Sequence, residues 1–161
     1  MKVLLLVALL AALCVVSGLL ATGLRRSWLV MAADIYAARL SRRVGFGTAW
    51  VLFLSNRVTV CLCSPSVARD YARGCWEDVR SGDLSSVELH RELVGTFRDA
   101  FVDAGLDGRR VDSLVEVIER EAIRRQRDRL SIYVEPERSA EILNLVADAL
   151  DDVLAPSSKG A

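Results

Sequence analysis

The sequence predicts an α+β fold, mostly helical, in which an N-terminal transmembrane helix precedes a small β-hairpin or sheet packed by about four amphipathic helices. Three observations predict it. No charged residue lies between Val3 and Leu24. The stretch from Val44 to Cys63 is apolar, rich in β-branched and aromatic residues, and broken by the polar triplet Ser55, Asn56, Arg57. Beyond Ser64, apolar residues recur at helical spacing in four runs bounded by start and stop residues.

The opening run VLLLVALLAALCVVSGLLATGL holds 22 residues. As a helix it measures about 33 Å, enough for a hydrocarbon core of about 30 Å. The apolar core of a cleaved signal is shorter, about 7 to 15 residues, so residues 1–24 read as a transmembrane signal-anchor. Small residues at Ser17, Gly18, Ala21 and Gly23 keep a cleavage site open, and the alternative is an exported envelope protein of secreted or periplasmic type with a cleaved signal, either an enzyme of unrecognised type or an envelope factor. Cys14 follows Leu13 and lacks the small neighbour that lipidation requires.

Charge gives the run a direction. Up to Arg43, the basic residues Lys2, Arg25, Arg26, Arg39, Arg42 and Arg43 meet only Asp34, while the chain as a whole is neutral, so the remainder is acidic. Arginines beyond the run hold that side in the cytoplasm. Residues 25–43 read as a basic juxtamembrane amphipathic helix with Trp28, Ala32, Ile35, Tyr36 and Leu40 on one stripe. Arg25, Arg26, Trp28, Arg39, Arg42 and Arg43 are its candidate membrane-interface residues, suited to anionic lipid. The same stripe fits equally a helix that continues the first one and packs on the domain.

The apolar stretch after Val44 does not read as a second span. Its unbroken part is about 12 residues, and Arg57 inside a bilayer would cost about 2.5 to 3.5 kcal/mol. Trp50, Val51 and Phe53, then Val58, Thr59 and Val60, read instead as two strands turning at Ser55–Arg57 and covered by helices. Gly45 and Gly47 lack the third glycine of a phosphate-binding loop and read as a loose link.

Ser64 and Pro65 open the first helix of the distal domain, with Val67, Tyr71, Cys75, Trp76 and Val79 on one side and Gly82 at its end. Ser85 and Glu88 form a capping box for the next, whose stripe is Leu89, Leu93, Phe97, Ala100, Phe101 and Ala104 before Gly105. Asp107 caps a third, carrying Val111, Leu114, Val115, Ile118 and Ala122. Leu130, Ile132 and Val134 alternate like a strand that joins the hairpin. Pro136 starts a last helix bearing Ile142, Leu145, Val146, Ala149, Leu150 and Val153. Residues 44–155 therefore form one mostly helical domain, and residues 156–161 a disordered tail.

Candidate chemistry is sparse. Cys61, Cys63, Cys75 and His90 make a nominal Cys3His set, but C-x-C in an apolar strand lacks the turn geometry of a zinc site. In an exported protein, Cys75 could bond to Cys61 or Cys63. His90 is the only imidazole, and neither Asp151–Asp152 nor Glu119–Glu121 has a partner cluster. No catalytic residue, cofactor site or metal site is expected. Arg124, Arg125, Arg127 and Arg129 form a candidate anion or partner patch, although Glu116, Glu119 and Glu121 offer them partners at helical spacing. The acidic remainder disfavours nucleic acid. Nineteen arginines against two lysines point to a GC-rich bacterial or phage genome. The expected function is a single-pass membrane-anchored binding or regulatory protein without catalysis. Its partners are anionic lipid and an unidentified protein, which could be a second copy of the chain.

Overall fold

The computed structural model describes residues 2–133 and 135–155, with side-chain surroundings for that range apart from 2–15 and 19. Six helices follow in order: α1 (Lys2–Val44), α2 (Phe46–Leu62), α3 (Pro65–Ser81), α4 (Ser86–Asp103), α5 (Gly108–Asp128) and α6 (Pro136–Leu154). No strand occurs among the described residues, so the α+β expectation is corrected to an all-helical fold.

The segment expected to form a β-hairpin is α2. Its 17 residues contain no turn at Ser55–Arg57, and every residue from Gly47 to Asn56 is buried. A helix that is apolar all round belongs at the centre of a structure, and α2 packs against α1, α3, α4, α5 and α6. An apolar run cannot be assigned to helix or buried strand by periodicity. Length arbitrates, and 17 residues without an internal glycine–proline break favour the helix. Once α2 is helical the predicted third strand has no sheet to join. Leu130 and Ser131 are irregular and Ile132 and Tyr133 form a turn, with Ile132 buried in the core; Val134 lies outside the described residues, as does the tail expected over residues 156–161.

The first helix is corrected as well. No helix among the described residues is long and apolar enough to cross a membrane, which overturns the transmembrane helix expected over residues 1–24. Part of that stretch, the side chains of residues 2–15 and 19, lies outside the described residues. The apolar run is not a self-contained element: its helix continues without a break through Arg25 and Arg26 and on to Val44. The segment 25–43 is thus the second half of α1. From Leu29 onward Leu29, Ala33, Ala37, Leu40 and Val44 are buried on α2 and α3, and the two alanines let the helices approach closely. From Val16 to Trp28 the described side chains are all exposed, so α1 leaves the helical body there as an arm.

The remaining helices begin and end where their caps stand. The Ser64 hydroxyl accepts from the Val67 amide, Ser85 and Glu88 form both halves of a capping box, and Asp107 accepts from the Arg110 amide. Gly82 and Gly105 take positive φ of 89° and 96° after α3 and α4, the left-handed conformation that glycine reaches without a Cβ clash. Leu89, Leu93, Phe97 and Phe101 of α4, Val111, Leu114, Ile118 and Ala122 of α5, and Ile142, Val146, Ala149 and Leu150 of α6 close the core around α2. Val67 and Leu145, expected on inward stripes, are exposed.

Candidate functional site

The outer face of α1 carries six of the 13 exposed large hydrophobic side chains among the described residues. Val16, Leu20, Leu24, Trp28, Met31 and Ile35 are all exposed, Leu24 at 72% and Trp28 at 60%. At about 100° per residue these six fall within a sector of about 120°, on the side of α1 opposite Leu29, Ala33, Ala37, Leu40 and Val44. Of the residues expected on one stripe, Trp28 and Ile35 face outward, Leu40 is buried, and Ala32 and Tyr36 are intermediate.

The six expected interface residues separate into two groups, because a continuous helix places Arg42 about 24 Å beyond Arg26 along its axis. Arg25 and Arg26 flank the turn where α1 leaves the body and make no ion pair among the described residues. Arg39 lies over Tyr36 at 5.8 Å, and Arg43 lies over Trp76 at 5.5 Å. Trp28 stands beside the first group. Asp34, the only acidic residue of α1, accepts a 2.7 Å hydrogen bond from Arg57 of α2, and burial, opposed by Arg57, raises its carboxyl above the ordinary value. Arg57 in turn lies over the Phe53 ring at 4.6 Å. The residue that argued against a second span is therefore the polar tie between α1 and α2, a contact that no local pattern signals.

The arginine run expected as an anion or partner patch is placed differently. Arg125 is fully buried, stacked over the Trp50 ring at 4.8 Å and donating to Glu121 and to the Ser131 carbonyl. Glu121, also buried, accepts from Arg124, Arg125 and Arg138, and Arg124 also reaches Glu135. Burial alone would raise the Glu121 carboxyl, but hydrogen bonds from Arg124 and Arg138 and the charges of Arg125 and Arg124 pull it down to about 2. Arg127 pairs with Asp128 at the surface, and Arg129 caps α5 in the left-handed conformation. Arg124 and Arg125 thus tie the α5–α6 connection to the body.

A cleft of about 410 Å³ opens between α4 and α5 over the corner joining α1 to α2. Its lining is mainly apolar, with Val87 and Ile123 exposed beside it. Gly45 and Gly47 bring this corner against α5. The Gly47 amide donates to Gln126 at 3.1 Å, and a Cβ on Gly47 would lie 2.2 Å from the Ala122 carbonyl oxygen. The two glycines permit close packing here, where the sequence suggests a loose link. His90 lines the cleft 3.4 Å from the Thr48 hydroxyl, and burial, opposed by Glu119, lowers its pKa.

Cysteines 61 and 63 are exposed and Cys75 is buried. Burial and the nearby Glu92 push the Cys75 thiol up to about 12, so it stays protonated. Among the described residues no three His, Cys, Asp or Glu side chains come together as a metal site. No family model, curated protein or solved structure matches this chain.

Proposed function

We propose that this chain is a binding protein without catalytic activity that lies on an anionic membrane surface through the outer face of α1 and presents its helical body to a protein partner. The observation that carries the reading is the exposed stripe Val16, Leu20, Leu24, Trp28, Met31, Ile35, which the body leaves uncovered. Helices lie in the membrane interface when such a face is combined with basic residues and an indole, the apolar side sinking about 5 to 10 Å among the acyl chains. Arg42 lies within the sector and Arg39 beside it, and the one acid of this helix is tied up by Arg57. Burying one large apolar side chain contributes about 1.5 to 3 kcal/mol, so several together outweigh the cost of ordering the arm.

The test is cosedimentation of the full chain with phospholipid vesicles. The chain is expected to pellet with vesicles containing anionic lipid. The triple variant Leu20→Gln, Leu24→Gln, Trp28→Ala is expected to remain in the supernatant with an unchanged circular dichroism spectrum. A wild-type chain that stays in solution with every vesicle composition would refute the reading.

A further inference from the structure

The membrane reading leaves open what the surface recognises, and a second cleft bears on it. Between α1 and α2, Arg26, Ser27, Val30, Met31, Asp34 and Arg57 line a depression of about 400 Å³. On α1 these residues run from the body side, where Arg26 stands, through Val30 and Asp34 to Ser27 and Met31 on the outer apolar stripe. The depression thus lies at the edge of the surface that would meet the acyl chains, at the turn where the arm leaves the body.

Resting on that reading, we infer that the depression is the seat of an anionic phospholipid headgroup, its phosphate held by Arg26 and Arg57 with the Ser27 hydroxyl beside them, where the ammonium of a zwitterionic headgroup would meet the two guanidinium cations. Three features support it. Arg57 is preset: Asp34 holds it at 2.7 Å and the Phe53 ring lies under it at 4.6 Å, yet its side chain keeps 34% exposure. One pairing leaves most of the five guanidinium donors for phosphate oxygens, and the planar fork suits them in a way that an ammonium does not. Arg26, with no ion pair among the described residues, supplies the second cation, so the lining carries a net positive charge despite Asp34. Val30 and Met31 give the acyl end an apolar wall continuous with the stripe.

Vesicles of phosphatidylcholine alone and of phosphatidylcholine with phosphatidylglycerol separate the possibilities. The wild-type chain is expected to prefer the anionic vesicles. Arg26→Gln and Arg57→Gln should each weaken that binding about fivefold, the factor expected for one arginine at an anionic surface, while Arg109→Gln on α5 leaves it unchanged. Arg57→Lys keeps the charge and should lose less than Arg57→Gln, yet fall measurably short of the wild type, because the fork is used as well as the charge; full retention by Arg57→Lys would overturn the seat. Arg26 is exposed and outside every ion pair of the described residues, so its variant tests the seat even if changes at Arg57 loosen the fold. Inorganic phosphate at millimolar concentration should not displace the vesicles, and displacement would overturn the assignment to lipid. Equal binding to both vesicle types would overturn the seat and leave the membrane reading standing, whereas binding to neither overturns both.

Discussion

Glu121 shows how much one side chain can hold. Its carboxylate is the common acceptor for Arg124, Arg125 and Arg138, and Arg125 beneath it is fully buried. Removing one partner of such a group leaves an uncompensated buried charge, so Glu121→Ala is expected to lower stability by about 3 to 5 kcal/mol in urea unfolding. Its titration has a sign. The folded-state value near 2 lies below the ordinary 4.5, so the unfolded chain binds the proton more readily. The contribution is whole above pH 4.5 and is lost as pH falls from there towards 2; in Glu121→Ala the acid-unfolding curve should be flatter across that window. Gly47 is the second residue of this kind. Gly47→Ala forces a Cβ onto the Ala122 carbonyl oxygen at 2.2 Å, a backbone atom that no side-chain rotation moves away, and should cost about 1 to 3 kcal/mol by the same measurement. Neither role is legible locally: Glu121 and its run read as a helix with i,i+4 partners, and the approach of Gly47 to Ala122 joins residues far apart in the chain.

Among the elements, α2 carries the fold and also three buried polar atoms that lack partners among the described residues. The Ser55 hydroxyl and both polar atoms of the Asn56 amide are buried without a hydrogen-bond partner among the described residues. An unsatisfied buried amide costs about 1 to 3 kcal/mol, and replacing it by an apolar group of similar shape is neutral or better. Asn56→Leu is therefore expected to raise the denaturation midpoint by the equivalent of about 1 to 2 kcal/mol, and a fall in midpoint would mean that the amide is engaged in the native protein. The same Asn56 made the stretch look like a hairpin turn, since a polar triplet between two β-branched runs is what a turn presents. Helices α3 to α5 posed no such ambiguity. Their starts at Ser64, Ser85 and Asp107 and the stops at Gly82 and Gly105 are set by hydrogen bonds reaching three or four residues. Ser85→Ala removes half of one capping box and should cost about 1 kcal/mol.

At the scale of the molecule, the body and the arm make separate demands on α1. Every described side chain from Val16 to Trp28 is exposed, and burial on the body begins at Leu29. A chain lacking residues 1–26 is therefore expected to melt cooperatively within a few degrees of the full chain while losing vesicle binding; failure to fold would mean that the arm supports the body. The sequence by itself determined four amphipathic helices with the caps of three of them, the charge asymmetry and the apolar N-terminal half, because each depends on neighbours within a few turns. Tertiary structure alone decided that the segment after Val44 is a buried helix, that Asp34 meets Arg57, and that Arg125 lies under Glu121 against Trp50. It also decided which side of α1 the body covers. An apolar residue records that it avoids water, and only the packed arrangement of the other helices determines what replaces the water.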